Sequence, residues 1–124
     1  QARRRKTRRT WPGRSGERMD AKIKRLVDQV KAHLHEMYGG GIKRVIIYGS
    51  HARGEATKNS DVDVLVLVDE SLDPREVEDS LSDLLYDIIL NEGELISVIA
   101  VSQERFENYN SPFMLNVRRE GIIA

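Results

Sequence analysis

The sequence predicts an α/β (α+β) domain: one small β-sheet covered by helices. Three observations lead there. Two stretches repeat apolar residues at steps of three and four, as one face of a helix requires. Three runs dense in Val, Ile and Leu have the length of buried strands. Glycines and Asp-Pro or Ser-Pro pairs stand at the junctions between them.

The first stripe is Met19, Ile23, Leu26, Val27, Val30, Leu34 and Met37. Gly39, Gly40 and Gly41 should end that helix, because glycine tolerates the left-handed cap conformation. Val45-Ile46-Ile47-Tyr48 then reads as a strand closing on Gly49-Ser50. Residues 51–60 are polar and predict a loop or a short helix plus loop. The run Val62 to Val68 predicts a second strand, apolar except for Asp63.

Asp73-Pro74 opens the next helix, with a capping acid and proline in the first turn. Its expected stripe is Val77, Leu81, Leu84, Leu85, Ile88 and Ile89. After Gly93, Leu95 to Val101 predicts a third strand. Ser102 should cap a short helix, and Ser111-Pro112 should open another that runs to Gly121. The order of strands in the sheet does not follow from one sequence.

A length of 124 residues, with 40% apolar and 32% charged side chains, allows a single domain with a modest core. No apolar run reaches the roughly 18 residues of a membrane-spanning helix. There is no cysteine, which removes disulfides, thiolate metal sites and one class of nucleophile. With no basic-then-apolar signal segment at the start, the expected location is cytoplasmic.

The formal net charge of zero conceals two unlike segments. Residues 1–18 hold eight Arg or Lys against Glu17 alone, a net +7, and have no apolar periodicity. They are expected to be a disordered basic arm, with the domain proper at 19–124 and Met19 at its head. Those 106 residues hold 12 basic and 19 acidic groups, a net −7. A domain so acidic is not built to bind nucleic acid through its surface.

The chemistry concentrates in 49–63. Asp61 and Asp63 are two residues apart, so a strand would turn both carboxylates to one face. Two carboxylates side by side repel, and in an apolar strand they are costly unless a cation lies between them. Mg²⁺ suits such a pair and keeps positions open for water and phosphate oxygens. A capping or turn role would explain Asp61 alone, but not Asp63 among valines. Gly49 at a strand end permits close approach to the backbone. The Ser50 hydroxyl with the following N–H groups can cradle a phosphate. Arg53, on the same turn, carries a planar fork suited to a phosphate.

Gly49-Ser50, ten residues, then Asp61-Val62-Asp63-Val64 resembles the signature of the DNA polymerase beta-like nucleotidyltransferase superfamily. Within it, GSHARG and NSDVDVLV look like the minimal nucleotidyltransferase branch of antitoxin type. The resemblance implies a nucleotidyltransferase fold, a small mixed β-sheet flanked by helices, in which Asp61 and Asp63 hold Mg²⁺ against a nucleoside triphosphate. Gly49, Ser50 and Arg53 would line its phosphates, and Ser60 is counted among the nucleotide contacts. A hydroxyl would attack the α-phosphorus and release pyrophosphate. The family's third carboxylate, on a later strand, has Glu94 as its candidate here and Glu92 as the fallback.

The resemblance further implies AMP transfer from ATP to a hydroxyl on a partner protein, a toxin of the HEPN type. The alternative is a catalytically weak nucleotide-binding or antitoxin module that acts by contact. Small size also allows a homodimer. His33 and His35 are read as packing or surface residues, and Lys58 as a solvated loop charge. His51 is within reach of a phosphate, as many residue types would be there.

Overall fold

A computed structural model describes residues 19–124; the basic arm, 1–18, lies outside them. Helix α1 (Ala21–Tyr38) is capped by Asp20, whose Oδ1 accepts the Lys22 N–H at 2.7 Å. It buries Ile23, Leu26, Val27, Val30 and Leu34. Met37 does not join them: at 53% exposure it lies off the buried stripe, on the last turn before the glycines. Gly39 takes φ +54°, and a 3₁₀ turn (Gly39–Gly41) leads into β1 (Ile42–Tyr48).

Next come α2 (Ser50–Arg53), a loop, and β2 (Val62–Val68). The expected single helix after Asp73 is two: α3 (Pro74–Asp79) and α4 (Ser82–Glu92). The cause is local. Ser80 Oγ donates to the Val77 carbonyl at 2.8 Å, taking the acceptor that the Leu81 N–H would use in an α-helix. Leu81 N–H bonds to Glu78 instead, one residue closer. Of the expected stripe, Ile88 is buried while Ile89 is 40% exposed.

The remaining elements are β3 (Ile96–Ser102), α5 (Gln103–Asn108), α6 (Pro112–Glu120) and a two-residue β4 (Ile122–Ile123). The sheet order is β3-β2-β1-β4. β1 is antiparallel to β2 and β4, while β2 and β3 run parallel. This is the mixed sheet that the resemblance implies, with a fourth strand too short to show as an apolar run.

Each sheet face has its own core. Val62, Val64, Val66 and Val68 face α1, Val77, Leu81 and Ile88. Leu65, Leu67 and Ile46 face Phe106, Met114 and Val117 of α5 and α6. Strand alternation puts Asp63 on this second face, in line with Leu65 and Leu67. Among the described residues no helix is long and apolar enough to cross a membrane.

Candidate functional site

The site forms where β1 ends beside the start of β2. Tyr48 and Asp63 are partners in the antiparallel register, so the last residue of one strand meets the second of the other. Gly49 then turns the chain with φ +79°, in the left-handed region that favours glycine. A Cβ there would collide with Asp63 Oδ2 and stand 3.3 Å from its Cγ. The glycine therefore admits the Asp63 carboxylate against the backbone.

Helix α2 hangs from that turn. The Gly49 carbonyl accepts the N–H groups of Ala52 at 3.0 Å and Arg53 at 3.1 Å. Ala52 is buried and anchors the turn, so Ser50 and Arg53 remain on its outer side. The loop that follows is closed by Ser60, whose Oγ accepts the Thr57 N–H at 2.8 Å. The sequence-predicted Ser60 thus has a fold-holding bond at the entry to Asp61.

The electrostatics tie the pair together. Burial first, then the neighbouring charge of Asp61, holds the Asp63 carboxyl above its ordinary range; His51 and Arg53 oppose this. Tyr48 is pushed up to about 12, chiefly by burial and then by Asp63. Two carboxylates close enough to repel, one of them half-sheltered, could hold a cation. Mg²⁺ takes one or two carboxylates and completes its shell with water and phosphate oxygens, which fits this donor set. Among the described residues no third His, Asp or Glu joins them in a metal-binding group.

Glu94 is not brought to the pair. Its Oε2 lies 3.4 Å from Lys22 Nζ on α1, which packs on the opposite sheet face. The fallback, Glu92, bonds Arg25 at 3.4 Å on the same helix. The expectation of a third carboxylate from this segment is therefore corrected. The residue that β3 sets beside Asp63 in parallel register is Ser97, exposed and on the same face.

Arg53 is placed with partners the sequence does not announce. Its Nε donates to Glu55 at 2.9 Å and its Nη1 to Glu120 at 2.8 Å. Sequence reasoning missed Tyr48 as a site residue and gave His51 no particular role. Tyr48 reads only as a strand residue, yet its ring meets Phe113 edge-on at 5.4 Å beside Asp63. His51 is half-buried near Asp63, and its Nε2 is enclosed without a hydrogen-bond partner among the described residues. The polar residue after Gly49-Ser50 was the available signal for His51; nothing local marks Phe113.

Comparison with known proteins completes the description. Residues 27–115 match the family model described as "Nucleotidyltransferase domain". A provisionally named protein adenylyltransferase of Methanocaldococcus jannaschii is 36% identical over 100 residues, covering 80% of this chain and 90% of the relative. A second relative of that provisional name and organism is 43% identical over 68 residues, covering 52% and 67%. Two solved structures share the fold. One, provisionally described as a nucleotidyltransferase from Sulfolobus solfataricus, has a TM-score of 0.56 at 14% identity, over 80% of this chain and 76% of that one. The other, a toxin–antitoxin crystallised with AMP-PNP, has a TM-score of 0.51 at 16% identity, over 77% and 69%.

Proposed function

The chain belongs to the nucleotidyltransferase domain family, and from that premise we propose that it transfers AMP from ATP to a hydroxyl on a partner protein. The observation that carries this is the Asp63 carboxylate lodged against Gly49, with Asp61 beside it and α2 opening at Ser50. Acidic, glycine-permitted and hydroxyl-bearing groups converge there.

In this reading Asp61 and Asp63 hold Mg²⁺, which when bound neutralises phosphate charge and polarises the phosphorus. Gly49 leaves room for the Asp63 carboxylate beside the phosphates, and Ser50 offers them its hydroxyl. Arg53 places its guanidinium along the phosphate chain. The acceptor oxygen forms a bond to the α-phosphorus as the bond to the bridging β-oxygen breaks. Pyrophosphate leaves, and the hydroxyl proton passes to solvent. Positioning and charge neutralisation supply most of the acceleration.

The partner-protein acceptor draws support from the provisional adenylyltransferase name of the archaeal relatives. The fold shared with a toxin–antitoxin structure that holds an ATP analogue supports a toxin as the partner; its HEPN type rests on the resemblance carried by GSHARG and NSDVDVLV. The test is incubation of the full chain with α-labelled ATP, Mg²⁺ and the candidate partner. Label should enter the partner with wild type and not with Asp63→Asn. Absence of label with both, while both neutralise the partner equally, would overturn the reading.

One observation favours a second reading. The described residues bring no third acidic group to Asp61 and Asp63, and Glu94 is tied to Lys22. A site with two carboxylates can bind nucleotide and turn over slowly, so the chain would act on its partner mainly by contact. Single-turnover rates against neutralisation at matched concentrations separate the two readings.

A further inference from the structure

Arg53 is not a loose surface arginine. Glu120 Oε1 accepts its Nη1 at 2.8 Å, across 67 residues of sequence, and Glu55 Oε1 accepts its Nε at 2.9 Å. The two carboxylates differ in what holds them. Glu55 lies in the loop after α2, and its side chain is 66% exposed. The Glu120 side chain is 20% exposed and ends α6.

The backbone on each side of Glu120 is fixed. Gly121 N–H bonds to the Val117 carbonyl at 2.8 Å. Immediately after it, Ile122 and Ile123 pair with Ile47 and Ile46, just ahead of Tyr48 and Gly49. At its other end α6 sets Phe113 against Tyr48. The last helix therefore grips the Tyr48–Arg53 segment before its turn and after it.

A guanidinium has five N–H donors in a fixed plane. Bonds from Nε and Nη1 stop its rotation and leave the Nη2 end for another anion. An arginine already held in place loses less freedom on meeting a phosphate than one free to rotate. We infer that Glu120 is a positioning residue: it sets Arg53 so that the Nη2 end meets the triphosphate held by Asp61 and Asp63. The inference rests on the nucleotide-binding reading of that site. It assigns α6 the task of ordering the phosphate-binding turn from outside it.

The experiment is a double-mutant cycle read by calorimetric titration of AMP-PNP with Mg²⁺ into the full chain. Arg53→Gln should weaken binding about tenfold and Glu120→Gln about fivefold, the scale of one charge-assisted contact that is partly screened. Joined in one chain, the two should be no weaker than Arg53→Gln alone, because Glu120 acts only through Arg53. Glu120→Asp should recover part of the affinity.

Losses that simply add, or a Glu120→Gln chain that binds as well as wild type or more tightly, would overturn the inference. Tighter binding would mean that Glu120 competes with the phosphate. Failure of wild type itself to bind would instead overturn the nucleotide reading, and the inference with it. Should Glu120→Gln not fold by circular dichroism, Glu120→Asp and Arg53→Lys complete the same cycle.

Discussion

The Asp63 carboxylate rests against Gly49 at a place where no other residue type leaves room for it. The same glycine has φ +79°, so a side chain there is penalised by both its backbone and its neighbour. Gly49→Ala should therefore lower stability by about 2 kcal/mol and push the carboxylate aside. Urea denaturation should show the earlier midpoint. Thermal melts with AMP-PNP and Mg²⁺ should show that the ligand-induced rise of wild type is lost.

Asp63 gives a pH signature. Its carboxyl is held above the ordinary value of 3.8, mainly by burial and then by Asp61. A raised value in the folded state means that the native fold disfavours the ionised form. That penalty is absent below pH 3.8, grows as pH rises toward the raised value, and is complete above it. Asp63→Asn removes it. In chelator at pH 7 this variant should melt slightly above wild type, since solvent screens a carboxylate that is only partly buried, and the difference should vanish near pH 3.5. A variant less stable than wild type at pH 7 would contradict this account.

Ser97 stands beside Asp63 across the parallel β2–β3 pair, on the face that carries the site. Neighbouring strands lie about 4.8 Å apart, within reach of a shared cation. Ser97→Asp should supply the carboxylate that Glu94 does not. Without divalent ions the variant should be less stable than wild type at pH 7, since a third like charge is added. With Mg²⁺ its affinity should rise about tenfold, read by titration calorimetry.

The Phe113 ring meets Tyr48 at 88°, an edge-to-face pair, and is 36% exposed. Phe113→Ala should cost about 1–2 kcal/mol in urea unfolding, the sum of the ring pairing and the apolar area it still buries. Phe113→Leu keeps the area without the ring and should fall between Ala and wild type.

Much of the fold is legible because its causes are local. The stripe from Ile23 to Leu34, the valine run of β2 and the caps at Asp73, Ser102 and Ser111 each follow from periodicity or a single side-chain bond. The break between α3 and α4 was hidden because one Ser80 hydroxyl decides it, inside a stripe that continues across the gap. Strand β4 was hidden because two residues carry no period.

Sequence alone supplied the strand end at Gly49-Ser50 and the two-residue spacing of Asp61 and Asp63, which are properties of nearby residues, and resemblance to a known signature joined the two across ten residues. Tertiary structure decided who joins them. Ser97 rather than Glu94 stands beside Asp63 because strand register fixes which residues become neighbours and which sheet face each side chain takes. Glu120 reaches Arg53, and Phe113 reaches Tyr48, because α6 packs on the Asp63 face of the sheet. Such contacts depend on how hydrophobic faces stack, and no short stretch of chain encodes that by itself.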